Sequence, residues 1–174
     1  DYLTRDPVFL IRSGLKDLAY YNTKAVLQPE KEFDFKKIQI KRDYAKGLPP
    51  LYCKASELQQ VFFNILSNGA QAMMGIETIA SPCFVLKIFQ EEEMICIKIT
   101  DNGPGMGSDT RKRVFEPFFT TKNVGEGTGL GLAVSYFIIT ENHKGQIEVT
   151  SRPGHGSCFL IKLPLNREEV NKEG

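Results

Sequence analysis

The chain has 174 residues, 41% of them hydrophobic and 25% charged, an ordinary globular composition and enough for one domain with a sizeable core. A formal net charge of +1 supplies no field that would draw nucleic acid, an anionic membrane or an acidic partner. No apolar run approaches the about 18 residues that a membrane span needs, and no signal peptide opens the sequence, so a cytoplasmic fragment without membrane contact is expected.

Asp6-Pro7 reads as an N-cap followed by proline at the first helical position. Ile11, Leu15, Leu18, Asn22 and Ala25 then recur on one helical face until Pro29 ends the pattern. Charged Glu30–Asp34 reads as a linker, and Phe35–Tyr44 alternates as a strand with one solvated face. After the turn Gly47-Leu-Pro-Pro50, Leu51–Cys53 forms a short extension. Ser56-Glu-Leu-Gln59 fits a capping box opening a helix to about Met74, with Leu58, Val61, Phe62, Ile65, Leu66, Gly69 and Ala72 as its buried stripe. Cys83–Phe89 and Met94–Thr100 are apolar strands joined as a hairpin by Gln90–Glu93. A short helical stretch spans Ser108–Val114, Phe115–Thr128 is irregular, and a helix runs from Gly129 to about Glu141. Strands Gln146–Ser151 and Ser157–Leu163 flank the turn Arg152–Gly156, and charged Asn166–Gly174 reads as a disordered tail. From residue 35 the order is β-α-β-β-α-β-β, which predicts an α+β two-layer sandwich: a mixed sheet of about five strands with helices on one face.

Three motifs carry chemistry. Asn64 and Asn68 lie one turn apart on the same helix face, and their carboxamide oxygens are hard, neutral ligands suited to Mg²⁺ shared with phosphate. Asp101-Asn-Gly-Pro-Gly105 puts a carboxylate at the end of an apolar strand, followed at once by backbone that a flat ligand can approach. Ionised Asp101 only accepts hydrogen bonds, which suits the exocyclic amine of adenine; the same residues also make an ordinary turn. Glycines 125, 127, 129 and 131 form a flexible loop running into the helix that carries Leu130, Leu132, Val134, Phe137 and Ile138, expected to be buried. Such a loop at a helix start offers N–H groups to phosphate. Its spacing is neither that of a Walker loop nor that of a Rossmann fingerprint. Between the two glycine motifs, Val114-Phe-Glu-Pro-Phe-Phe-Thr-Thr-Lys122 supplies aromatics to anchor the base of a lid and a cation, Lys122, for phosphates.

The four cysteines form no C-x-x-C pair and make no paired zinc-ligand pattern with His143 and His155, which argues against zinc and for reduced core residues. Both histidines read as structural or surface residues.

These motifs, in this order, resemble the catalytic, ATP-binding domain of bacterial sensor histidine kinases, within the superfamily of DNA gyrase, the large heat-shock chaperones and the mismatch-repair ATPases. Over about Phe35–Pro164, Gln60–Ala70 resembles the asparagine block, Asp101–Met106 the first glycine block, Phe115–Phe119 the phenylalanine block and Gly127–Leu132 the second glycine block. The resemblance implies a Bergerat-type fold binding ATP and Mg²⁺. Asn68 would hold the metal with Asn64 beside it, Asp101 would read adenine, and Gly103, Gly105 and Met106 would shape the pocket floor. Phe119, Thr121, Lys122, Gly127, Thr128, Gly129, Leu130, Gly131 and Leu132 would form the lid and phosphate side. Ser157 stands near the base, where relatives have threonine. Gly69 departs from the usual alanine, and the lid is short. Hydrolysing relatives carry a glutamate base where Asn64 stands, so phosphoryl transfer is expected rather than efficient hydrolysis. Catalytic roles then fall to Asn64 and Lys122.

The family's phosphoacceptor histidine is absent, so the resemblance implies a fragment. Residues 1–29 would be a remnant of the helical dimerisation hairpin, with Ile11, Leu15 and Leu18 facing a partner helix or else packed on the domain's own sheet. Residues 30–165 would be the catalytic domain and 166–174 the tail. The implied partners are the phosphoacceptor domain of the same parent kinase and a response regulator. The alternatives are a serine/threonine kinase of the anti-sigma type and a nucleotide-sensing module without catalysis.

Overall fold

The computed structural model describes residues 2–25, 37–74, 79–125 and 127–165, with side chains omitted for 19–25. In chain order these form β1 (Leu3–Arg5), α1 (Pro7–Ala25), β2 (Gln39–Tyr44), β3 (Leu51–Cys53), α2 (Ala55–Met74), β4 (Cys83–Glu91) and β5 (Met94–Asp101). There follow α3 (Ser108–Arg113), α4 (Gly131–Phe137) with a π-helical turn Ile138–Asn142, β6 (Gln146–Ser151) and β7 (Ser157–Pro164).

Alternation builds the main sheet. Phe84, Leu86 and Ile88 of β4, Ile95, Ile97 and Ile99 of β5, and Phe159, Ile161 and Leu163 of β7 are all buried in one cluster with α2. The intervening Val85 and Lys87 are exposed on the opposite face. The strand order is β2-β4-β5-β7-β6, with β2 parallel to β4 and every other pair antiparallel. This is the expected α+β arrangement of a five-stranded mixed sheet. β5 sits at its centre and ends on Asp101.

Helix α2 covers the inner face through Leu58, Val61, Phe62, Ile65, Leu66, Ala70 and Met73. Truncating a buried phenylalanine such as Phe62 typically costs about 3–5 kcal/mol. Ala72, expected in this stripe, is exposed, and Met73 takes the buried place. The helix also starts earlier than the capping box implied: Glu57 and Leu58 donate to the Lys54 carbonyl, so Ser56 lies inside the first turn.

The apolar stripe of α1 packs on α2. Leu10, Ile11 and Leu18 are buried in the same cluster as Phe62, while Leu15 is half-buried. The helices approach closely because of Gly14, where a Cβ would stand 2.8 Å from Phe62 Cβ. β1 was not anticipated: it pairs antiparallel with β3, Thr4 opposite Tyr52. The expected boundary at residue 29, the first part of the strand predicted from Phe35 and the tail 166–174 lie outside the described residues.

Helix α4 starts at Gly131, two residues later than expected. Its exposed side carries Leu130, Val134 and Phe137, at 36%, 36% and 56%, so of the five apolar residues expected to be buried there Ile138 is buried and Leu132 partly so.

Candidate functional site

Asp101 arrives at the end of β5 with 8% of its surface exposed. Its Oδ1 accepts from the Gly103 amide at 2.9 Å and the Ser157 amide at 3.3 Å. Burial, the largest influence, pushes the carboxyl pKa above its ordinary value, while those two amides pull it down. Oδ2 has no hydrogen bond, yet it is not among the buried orphan atoms of the described residues. It is therefore the acceptor that an incoming donor meets.

Small residues bring backbone to this carboxylate. A Cβ at Gly69 would lie 2.8 Å from Phe84 Cε1 and 3.3 Å from Asp101 Oδ2. Gly69 thus seats α2 directly on Asp101. Gly105 turns at φ 69°, and a Cβ there would strike the Arg152 carbonyl. The Met106 amide donates to Ser151 Oγ at 2.8 Å, and Ser151 Oγ lies 2.9 Å from Ser157 Oγ. Ser151 is a site member that sequence reasoning missed: its hydroxyl ties the glycine loop to the β6–β7 hairpin. Asn102 serves the scaffold, bridging the Cys83 amide and the Ser81 carbonyl at 2.8 Å each.

The polar face of α2 forms the second half. Lys122 Nζ donates to Asn68 Oδ1 at 3.4 Å and also to Gln71 Oε1. Gln71, not anticipated, stands one turn beyond Asn68 and shares this cation. Asn64 behaves differently: its Nδ2 donates to the Gly131 carbonyl at 2.9 Å and to Ser135 Oγ at 3.1 Å. Among the described residues no group of three or more His, Cys, Asp and Glu could hold a metal. A divalent cation here needs the neutral oxygens of Asn68 and Gln71 together with oxygens from a ligand. In this structure the two oxygens converge on the Lys122 ammonium.

The lid contributes less than its composition suggested. Phe115 is the anchor, 6.2 Å edge-on from Phe159 and 5.3 Å from Tyr136. Phe119 lies under the Arg113 guanidinium at 4.4 Å. Phe118 is 76% exposed and holds φ at 64°, an unfavourable conformation for a bulky side chain. Its amide donates to the Gly129 carbonyl, and a Cβ at Gly129, itself at φ 67°, would lie 2.5 Å from Phe118 C. Only glycine fits there. Thr121 and Thr128 are exposed, Thr128 Oγ1 accepting from Leu130 N, and Gly127 packs on Lys122.

His143 is a scaffold residue. It is buried, its Nε2 accepts from the Lys54 amide at 3.2 Å, and its Nδ1 faces the Ile138 carbonyl at 2.9 Å. His155 is exposed in the β6–β7 turn. Neither is placed as a phosphoacceptor beside Asp101 or Asn68.

Residues 53–167 match the family model described as Histidine kinase-, DNA gyrase B-, and HSP90-like ATPase. The chain belongs to this family. Sporulation kinase E of Bacillus subtilis is 43% identical over 134 residues, covering 76% of this chain and 17% of its own length. The signal transduction histidine-protein kinase AtoS of Escherichia coli is 41% identical over 119 residues, covering 68% of this chain and 18% of its own length. The chain thus spans less than a fifth of these sensor kinases. Among solved structures, the catalytic domain of histidine kinase ThkA aligns at TM-score 0.74 and 20% identity, over 96% of this chain and 99% of that one. Full-length ShkA in complex with AMPPNP aligns at TM-score 0.73 and 22% identity, over 94% and 31%. At such identity the structural likeness establishes the fold, while the sequence matches establish the family: this is the ATP-binding type of domain found in protein-histidine kinases.

Proposed function

We propose that this domain binds Mg²⁺–ATP and donates the γ-phosphoryl group to a histidine on a separate helical domain of its parent kinase, from which a response regulator is served. The observation that carries the reading is Asp101: a buried carboxylate, fixed through Oδ1 by two amides, with Oδ2 left for the adenine amine. Asn68 and Gln71 would hold the metal, whose chemistry is to offset phosphate charge. Lys122 adds a cation beside them. In the transfer the γ-phosphorus–oxygen bond to ADP breaks as a bond to the imidazole nitrogen forms, and catalysis is mainly positioning.

Transfer is favoured over hydrolysis by what Asn64 does. A carboxamide has no useful basicity, and its nitrogen faces Gly131 and Ser135, so nothing at that position activates water. No helix among the described residues is long and apolar enough to cross a membrane, and the four cysteines are free. Both are consistent with a domain working on the cytoplasmic side.

Titration calorimetry with and without Mg²⁺ tests the reading. ATP is expected to bind, more tightly with the metal, and GTP poorly because an oxygen would face the Asp101 carboxylate. Phosphate release by the isolated domain is expected to be slow or absent. Equal ATP and GTP affinity, or several turnovers of hydrolysis per minute, would contradict it.

A further inference from the structure

Ser135 sits in α4 with no exposed surface, three residues past the second glycine block. Its Oγ donates to the Gly131 carbonyl at 2.9 Å and accepts from Asn64 Nδ2 at 3.1 Å. Asn64 Nδ2 also donates to the Gly131 carbonyl, at 2.9 Å. A carbonyl oxygen only accepts, so the Asn64 atom against Gly131 has to be nitrogen, and the amide cannot be turned end for end. With Nδ2 facing both acceptors, Oδ1 is the one remaining polar atom of that side chain. It is absent from the buried orphan atoms of the described residues and is therefore open to solvent, on the helix face it shares with Asn68.

We propose that Ser135 is a positioning residue: its buried hydroxyl locks the Asn64 amide so that Oδ1 faces the nucleotide site, and ties the start of α4, where the glycine loop ends, to α2. Gly131 is the meeting point of this triad. A Cβ there would lie 3.6 Å from Asn64 Cγ, ordinary contact, so the register is set by hydrogen bonds and not by steric fit. Without the serine hydroxyl, Asn64 Nδ2 keeps only the Gly131 carbonyl, and the amide is held by one hydrogen bond in place of two. A less firmly held Oδ1 would serve a metal less well, whereas the base of the nucleotide, held at Asp101, would feel little.

This role rests on the ATP-binding reading, and two measurements separate them. In amide NMR of the whole chain, the Asn64 side-chain NH₂ pair is expected to be dispersed and slow to exchange in the wild type, and to collapse toward solvent values in Ser135→Ala. Ser135→Thr, which keeps the hydroxyl, is expected to retain it. By calorimetry, Ser135→Ala is expected to weaken Mg²⁺–ATP about 5–10-fold, the loss of one hydrogen bond of about 1–1.5 kcal/mol, while metal-free ATP changes less than about twofold. On an Asn64→Ala background the same substitution should add nothing. Additive effects, or unmoved Asn64 amide signals, overturn the positioning role while leaving ATP binding intact. A folded wild type that binds no ATP overturns the functional reading and this role with it.

Discussion

Asp101 sets a conflict between binding and stability that is readable at one atom pair. Burial raises its pKa, so the folded chain holds this proton more tightly than the unfolded chain does. Stability at this site is then fully present below the ordinary carboxyl value of 3.8 and is lost as pH rises through the raised folded value. Asp101→Asn removes the buried charge and keeps an oxygen for Gly103 and Ser157. It is expected to melt higher than the wild type at neutral pH, with the gap closing in acid; a lower melting temperature at pH 7 would refute this. The same substitution should weaken ATP about 10–100-fold, through loss of a charge-assisted bond worth about 1.5–3 kcal/mol. Gly69 shows a second residue-scale conflict. Alanine would improve helix propensity by about 1 kcal/mol, but its methyl would meet the buried ring of Phe84 at 2.8 Å. Overpacking of this kind costs about 1–3 kcal/mol, so Gly69→Ala is expected to lower the denaturant midpoint, and an increase would show that Phe84 moves freely.

At the scale of elements, the α1–α2 pair makes the N-terminal helix part of this domain's core, Leu10, Ile11 and Leu18 being buried in one cluster with Phe62. Gly14→Val should force the helices apart at Phe62 and cost about 1–3 kcal/mol in chemical denaturation; a neutral result would mean that α1 is only loosely seated. The strands β4 to β7 were legible because their alternation is long and uninterrupted. β1 was not, since three residues carry too little period and its partner β3 lies far along the chain. The start of α2 was misjudged because Ser56 and Gln59 satisfy a capping pattern that the backbone does not use, the turn being closed on the Lys54 carbonyl. The three chemical motifs were legible as types of residue at set spacings. Gln71, Ser135 and Ser151 were invisible because each acts through a contact between distant elements that no spacing encodes. Phe118 misled for the converse reason: an aromatic in an irregular segment suggested an anchor, yet its backbone conformation turns it to solvent.

Over the whole molecule, the site is assembled from two unlike halves. Asp101 ends the central strand β5, paired on both sides by β4 and β7, and rests against α2 through Gly69. The other half hangs on Lys122 and the exposed stretch from Thr120 to Gly125. Local opening follows the density of buried contacts, so the two halves should come apart at very different free energies. In native-state hydrogen exchange, the amides of β5 up to Asp101 are expected to open only with global unfolding, and those of residues 120–125 almost at once. Comparable protection of both would contradict this. If the chain binds ATP as proposed, discrimination of the base would be as durable as the fold itself, whereas hold on the phosphates would be left to a clasp that can release without disturbing it. Spent nucleotide can leave many times over the life of a protein whose sense of which base to admit never has to be rebuilt.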